Sequence, residues 1–174
     1  MEHVLKKLIL TDEDYICDGD LTITGKVKLV NSNLIVAGIL CFRNPNDENI
    51  PVDIIGGDIS AFEVASQVPI NIKSGDIYAH YMFVRSIESD GNIEIKHEVS
   101  ADDISCLNFL VSGDSSTHNL TAHQDIYILG NNSSFDISGR DILISGNCDA
   151  HNNSITAKAF ECRDFTVCNS ISIG

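Results

Sequence analysis

Apolar residues recur at steps of about five or six positions through most of this chain, and three such steps add up to about 18 residues. Within these steps, apolar and polar residues alternate over segments as short as three residues, as in 21–23 (LTI), 93–95 (IEI) and 171–173 (ISI). Alternation over so few residues predicts many very short strands that are separated by turns.

Glycine follows the same period. Eight of the 12 glycines lie at steps of about 19, 19, 18, 16, 22, 17 and 16 residues, and the mean near 18 falls at the lower edge of the range for stacked solenoids. In seven cases the next residue is Asp or Asn, which can bond the local backbone in a turn, while glycine adopts positive φ without steric cost. The eight are Gly19, Gly38, Gly57, Gly75, Gly91, Gly113, Gly130 and Gly146.

Short strands, regular turns and a period of about 18 residues together predict an all-β, single-stranded parallel β-helix, also called a β-solenoid. We expect a three-sided coil that is right-handed rather than left-handed, because the glycine steps do not match the strict six-residue coils of hexapeptide helices. Asp and Asn stacked at the same corner of successive rungs, about 4.8 Å apart, would form a polar ladder. An antiparallel β-sandwich with independent turns is the alternative.

The solenoid is predicted to occupy residues 1–174 as one domain. Residues 1–16 carry apolar residues at helical spacing, and would form an N-terminal cap or a first rung. The polar segment 43–50 would protrude from a rung as a loop. Residues 113–123 follow the longest glycine step and would bulge as a second loop.

Charge narrows the possible partners. Lys and Arg number 11 against 25 Asp and Glu, so the net charge is −14 and binding to a phosphate backbone is disfavoured. The chain has no Trp, which fits a narrow core filled by Ile, Val and Cys. These features favour self-association or another protein as the partner, rather than nucleic acid.

Two further features concern the compartment. No apolar run approaches the length of about 20 residues that spans a bilayer, and residues 1–10 do not resemble a signal peptide. The six cysteines include no CxxC pair and are expected to be reduced in the core, with Cys162 and Cys168 as an alternative metal or redox pair. We therefore expect a cytoplasmic protein with no membrane span.

Four of the six histidines are the first candidates for chemistry. His80 and His97 lie about one rung apart and are expected to stack on one face, while His118 and His123 flank the longest glycine interval. A metal site needs three or four converging ligands, and the sequence offers no third partner. Hexapeptide-type acyltransferases place a catalytic histidine on a long loop, so an enzyme of that type is one alternative.

Carboxylates are the second candidates. Asp102 with Asp103, and Asp136 with Asp141, could serve a solenoid lyase or glycosidase, whose carboxylates would lie roughly 5 to 10 Å apart across a cleft. Such enzymes also use Arg, Lys or aromatic platforms that this chain lacks, so turn residues are the better interpretation of all four. The segment 56–58 (GGD) does not continue into the GGxGxD motif of calcium-binding β-helices, so no calcium is expected.

Aromatic residues are the third group of candidate functional residues. A carbohydrate-binding solenoid would need exposed aromatic side chains on one face. Tyr78, Tyr81 and Phe83 lie close together in the sequence, and we expect two of them in the core or at its rim.

The units 57–59 (GDI), 75–77 (GDI) and 91–93 (GNI) repeat within a ladder of short Ile and Val strands. In this pattern, which covers residues 17–174, the chain resembles the bactofilins. These are bacterial cytoskeletal proteins whose central right-handed parallel β-helix polymerises end to end. The resemblance implies a structural protein that associates through the ends of its coil.

The sequence thus predicts a non-catalytic β-helix scaffold or self-association protein, and we assign no catalytic, metal-binding or cofactor-binding residue. Two alternatives stay open. An acidic pentapeptide-repeat-like solenoid could mimic DNA, which the charge of −14 would suit. A carbohydrate-active or acyltransferase-type β-helix enzyme is the other.

Overall fold

The structure is a computed structural model that describes residues 2–25, 27–43, 52–150, 154–167 and 170–174. They form a parallel β-solenoid of about 9 turns, with rungs of about 17 residues and 74% strand. These ranges contain no helix, and so none that is long and apolar enough to cross a membrane. The predicted all-β solenoid is confirmed, while its right hand and three-sided section stay predictions.

The strands are short, as the alternating triplets predicted. Within the described ranges they are β1 (Glu2–Leu5), β2 (Leu8–Thr11), β3 (Tyr15–Cys17), β4 (Asp20–Ile23), β5 (Val27–Val30), β6 (Leu34–Phe42), β7 (Val52–Ile55), β8 (Ile59–Ser66), β9 (Ile70–Lys73), β10 (Ile77–Ser89), β11 (Ile93–Cys106), β12 (Phe109–Val111), β13 (Ser115–Ala122), β14 (Ile126–Ile128), β15 (Asn132–Ser138), β16 (Asp141–Ala150), β17 (Ser154–Ala157), β18 (Ala159–Val167) and β19 (Ser170–Ile173).

Parallel strand segments from successive turns lie in three stacks, and pairing joins the turns in each except between β5 and β7. Stack 1 starts with β1 and β4 and continues through later parts of β6, β8 and β10 to the end of β18. In stack 2, β2 and β5 form a separate two-stranded sheet; β5 lies beside β7, and pairing then continues from β7 and β9 to β17 and β19. Stack 3 runs from β3 through the starts of β6, β8, β10 and β11 to β12, β14 and the start of β18.

The core consists of columns of apolar side chains that point inward from these stacks. Because the register is parallel, one inward position of stack 3 is occupied by a buried apolar residue in turn after turn. Burying a side chain of this size stabilises the fold by about 1.5–3 kcal/mol. This column contains Leu34, Ile59, Ile77, Ile93, Phe109, Ile126 and Ile142.

The eight regularly spaced glycines form two columns, at two different corners of the coil, rather than one. Gly57, Gly75 and Gly91 stack on one another at the corner before stack 3. Gly19 and Gly38 stack at the corner before stack 1, as do Gly113, Gly130 and Gly146. The longest step, from Gly91 to Gly113, passes from one corner to the other.

That change of corner explains why the predicted bulge at 113–123 is wrong. Residues 115–122 form β13, which pairs in register with β11 on one side and β15 on the other.

Two other segments were predicted to differ from the regular rungs. For the predicted loop at 43–50, residues 44–50 lie outside the described residues. Residues 1–16 were predicted to form either an N-terminal cap or a first rung. In the structure β1, β2 and the start of β3 pair with the next turn, so this segment is a first rung.

The reason for glycine at these corners also differs from the prediction. Positive φ occurs at Gly56 and Gly57, with φ of 75° and 86°, and at no other described glycine. At Gly75 a Cβ atom would instead collide with the carbonyl oxygen of Gly57 in the turn before. Glycine is therefore required mainly because the backbones of successive turns approach closely at the corner.

Asp and Asn form the predicted polar ladder, with a defined hydrogen bond at each step. At most steps of the corner before stack 3, the side-chain oxygen of one turn accepts the backbone N–H of the next, as between Asp58 and Asp76 at 2.9 Å and between Asp76 and Asn92 at 2.7 Å. Between Asn92 and Asn108 the side-chain amide of Asn108 donates to Asn92 Oδ1 instead, at 2.8 Å. Arg140 ends the ladder with two bonds to Asp125, at 3.0 and 2.7 Å. The members are Asp14, Asn33, Asp58, Asp76, Asn92, Asn108 and Asp125.

The two inward columns of stack 1 are polar in two successive turns of an otherwise largely apolar core. Thr117 and Ser134 share a hydrogen bond of 2.7 Å, and Ser134 Oγ donates to Asn132 Oδ1 at 3.0 Å. Ser115 Oγ has no hydrogen-bond partner in the described part of the chain. These four residues are buried, so most of the polar atoms in this region satisfy one another inside the core.

Gly75→Ala tests whether backbone contact is what requires glycine, because φ at Gly75 is not positive and the Gly57 carbonyl is the obstacle. We expect the free energy of unfolding to fall by about 1–3 kcal/mol, the usual cost of overpacking. Gly174→Ala is the control, since a Cβ there meets no atom within 4 Å. Urea unfolding followed by circular dichroism measures both, and equal stability of the two variants would contradict a requirement set by backbone contact.

Buried thiols predict a loss of stability at alkaline pH. Desolvation raises the pKa of Cys106 from 9.0 to about 12, and it is the main cause of the same rise for Cys148. The unfolded thiols ionise from about pH 9 whereas the folded ones stay protonated, so their contribution is complete below pH 9 and is lost as the pH rises towards 12. Each thiol should lower the free energy of unfolding by about 1.4 kcal/mol per pH unit in that window.

Urea unfolding at pH 8 to 11 in the presence of a reductant measures this slope. The double variant Cys106→Ala, Cys148→Ala should be less stable at pH 8 but should show a flatter decline above pH 9. A decline as steep as that of the natural chain would contradict the assignment to these thiols.

Candidate interaction surfaces

Aromatic and histidine rings form a patch on the side of the solenoid. Phe62 lies 5.1 Å from His80 between ring centroids, and His80 lies 5.5 Å from His97. Tyr81 contacts both Phe62 and His97, at 5.6 and 5.0 Å, and stacks on Phe83 at 6.3 Å. As predicted, His80 and His97 lie on one face in successive turns, where their rings meet edge to face. We call these five residues the aromatic patch.

Register explains why these rings meet. Phe62 follows Ala61, and His80 follows Ala79, which is the register partner of Ala61 in the next turn. β10 and β11 shift register between Ala79 and Tyr81, which is where His80 lies. Rings from consecutive turns therefore contact one another at the corner between stacks 3 and 1.

A groove of about 360 Å³ lies beside the patch on the outer surface of stack 3. Ser60 is the register partner of Ile35 in one direction and of Tyr78 in the other, so a small side chain lies between two large ones. Phe62 and His80 line one side. Glu94 and Lys96 are exposed at the end that belongs to the following turn. We call this the aromatic groove.

Tyr78 is held in place by its hydroxyl group, which donates to Asp76 at 3.1 Å. This hydrogen bond is the main reason that the pKa of Tyr78 is raised, and burial and the neighbouring carboxylates add to it. Two of Tyr78, Tyr81 and Phe83 were predicted in the core or at its rim, whereas Tyr78 and Phe83 are exposed and only Tyr81 is half-buried.

A second groove, of about 430 Å³, lies on the outer surface of stack 1. Its lining includes Phe83, Ser100, Asp102, His118 and Phe135. The rings of His118 and Phe135 lie 4.4 Å apart. His80 lines the aromatic groove and His118 lines this one, so neither of these grooves contains two of the candidate histidines.

Three of the four candidate carboxylates form hydrogen bonds or an ion pair with other residues of the coil. Asp103 accepts from Asn119 Nδ2 at 2.6 Å, one turn away. Asp136 accepts from the backbone N–H and the hydroxyl of Ser154, at 2.8 and 3.1 Å. Asp141 lies 3.6 Å from Arg140. Asp103 and Asp136 lie within β11 and β15, and Asp141 begins β16, so these residues hold parts of the coil together from strands rather than from turns as was predicted.

The candidate metal ligands do not form a cluster in the described part of the chain. The described residues contain no group of three or more His, Cys, Asp or Glu side chains that could hold a metal ion. Cys162 is a half-buried, reduced residue of stack 3, and Cys168 lies outside the described residues. Asp58, the acid of the GGD segment, accepts the backbone N–H of Asp76 in the next turn.

The last described rung presents apolar side chains at positions that are buried elsewhere in the coil. Ile171 and Ile173 of β19 continue the columns of Ile155 and Ala157, yet they are 44% and 57% exposed. Phe165 continues the column of Cys148 and is exposed as well. This rung also has one unpaired strand edge, the kind of surface that templates pairing with another chain.

Sequence reasoning missed Phe62 and the ring contacts that it makes. The sequence contained the necessary spacing, because His80 follows Phe62 by about one rung and His97 follows His80 by about one rung. It was not decisive, because only the position of the corner determines whether residues at this spacing point outward together.

Comparison with models of known families, with curated proteins and with solved structures gives no match for this chain. The solenoid fold and the surfaces described above are therefore the basis for any statement about function.

Proposed function

We propose that this protein is a non-catalytic scaffold whose solenoids associate end to end, the last rung of one copy stacking on the first rung of the next. The observation that carries the proposal is the exposure of Ile171 and Ile173 at core positions of the last described rung. Burying each of these two side chains in the contact would stabilise the association by about 1.5–3 kcal/mol. Similarity to the bactofilins is part of this proposal.

Register supports a head-to-tail order. Stack 3 begins with Tyr15 and Cys17 and ends with Phe160 and Cys162, at the same two inward positions. One further step of the same register would bring Phe160 against Tyr15 of the next copy and Cys162 against Cys17. The first pair joins two aromatic rings and the second joins two thiols. In the single chain Cys17 is buried, whereas Tyr15, Phe160 and Cys162 are half-buried.

Backbone groups would contribute to the same contact. The first strand of each stack has one edge without a partner strand among the described residues, and so has the last. Parallel strands that meet at these edges would form the same hydrogen bonds that join every turn to the next. Main-chain bonds of this kind are how β-augmentation gives affinity.

Ile171→Asp with Ile173→Asp tests the apolar contact. We expect the natural chain to increase in mass with concentration in light scattering and to form linear particles in negative stain. The double variant should weaken association at least tenfold, equivalent to about 1.4 kcal/mol or more, because it would bury two carboxylates.

The control is Ile55→Asp, since Ile55 is similarly exposed but lies on the side of the coil in β7. It should associate like the natural chain. A natural chain that stays monomeric over a wide concentration range would overturn the proposal.

Oxidative cross-linking tests the order of the ends. Stacked strands lie about 4.8 Å apart, within the range of Cα separations that a disulfide bridges, so Cys162 should link to Cys17 of the next copy under mild oxidation. Peptide mapping should find a Cys17–Cys162 bridge between chains. Cys17→Ser should remove it without changing the mass of the unoxidised assembly. Links between two Cys162 residues only would contradict the head-to-tail order.

A further inference from the structure

The aromatic groove combines two exposed ring faces with polar groups at one end. Phe62 is 46% exposed and Tyr78 is 42% exposed, and both line the groove. Both rings are fixed by neighbours, Phe62 by contacts with His80 and Tyr81, and Tyr78 by its bond to Asp76. Rings that are already positioned lose little conformational entropy when a ligand stacks on them.

The polar groups define what kind of ligand fits. Glu94 carries a carboxylate that only accepts hydrogen bonds when ionised, and Lys96 carries an ammonium group that only donates them. A hydroxyl group donates and accepts, so a polyhydroxylated ligand satisfies both side chains. Because the two charges are of opposite sign, a ligand without net charge is favoured at this end of the groove.

Other ligand classes fit less well. Lys96 is the one Lys or Arg among the described lining residues, and the net charge of −14 repels polyanions. A small apolar molecule is normally enclosed on most sides, whereas this groove is open along the side of the solenoid. Its volume lies within the range of about 300–1,000 Å³ for small-ligand sites. An open trough of this size accepts a chain-like molecule.

We propose that the aromatic groove binds a neutral oligosaccharide, whose sugar rings stack on Phe62 and Tyr78 and whose hydroxyl groups bond to Glu94 and Lys96. A sugar ring presents C–H groups on its faces and hydroxyl groups at its edge, which matches aromatic faces beside charged ends. This function is additional to end-to-end association, and it uses the side of the coil rather than its ends.

The test is titration calorimetry with neutral hexasaccharides of β-1,4-linked glucose, xylose, mannose and N-acetylglucosamine, with a hexasaccharide of galacturonic acid as the anionic comparison. At least one neutral sugar should bind, and its Kd should not change between low and high salt. Phe62→Ala and Tyr78→Ala should each raise the Kd about tenfold, equivalent to about 1.4 kcal/mol.

Tyr127→Ala is the matched control. Tyr127 occupies the same outward column as Tyr78, three turns further along, and is 39% exposed. Its Kd should stay within about twofold of the natural value, and thermal unfolding should show that all three variants fold. Absence of binding to every neutral sugar, tighter binding of the galacturonic acid chain, or an equal loss in Tyr127→Ala would each overturn the proposal.

The association-deficient variant Ile171→Asp, Ile173→Asp separates this proposal from the scaffold function. It should bind the neutral sugar with the Kd of the natural chain. Loss of sugar binding in that variant would contradict a site on the side of a single coil, whereas monomeric behaviour of the natural chain would leave the sugar result unchanged.

Discussion

Parallel stacking of one turn on the next, at about 4.8 Å, is the constraint on which the rest of this structure depends. It forces each residue to share its environment with the residue at the same position one turn before and after. Inward positions therefore become columns of Ile, Val and Leu, and the backbones at the corners come too close for a Cβ atom. Gly75 shows this directly, because its Cβ would collide with the Gly57 carbonyl.

The same constraint explains where the negative charge of the chain lies. An Asp or Asn at a corner can accept the backbone N–H of the next turn, as Asp58 and Asp76 do, and the ladder repeats this bond along the coil. Several carboxylates are thus fixed by the requirements of the coil itself. The acidic composition is explained in part by the fold and is weaker support for a DNA mimic than the net charge alone suggested.

A coil with repeating columns has two kinds of surface, and the two proposals use one each. The end rungs of the described coil carry strand edges without a partner strand and core-type side chains such as Ile171 and Ile173, which suits stacking on another copy. The sides carry whatever each turn places outward, and the aromatic groove arises because Ser60 lies between Ile35 and Tyr78. A scaffold that assembles through its ends would leave such side grooves free and would repeat them at regular intervals.

The sequence by itself determined the all-β solenoid and the length of its rungs, because few folds accommodate both periodic Ile and Val residues and regular Gly-Asp or Gly-Asn pairs. It also determined that His80 would lie on His97, since one rung separates them. Only the tertiary structure decided that the glycines belong to two corners, that 115–122 is a strand, and that Phe62 joins the histidines. The physical reason is that spacing fixes which residues stack, whereas the number of residues between corners, which varies from rung to rung, fixes which side they face.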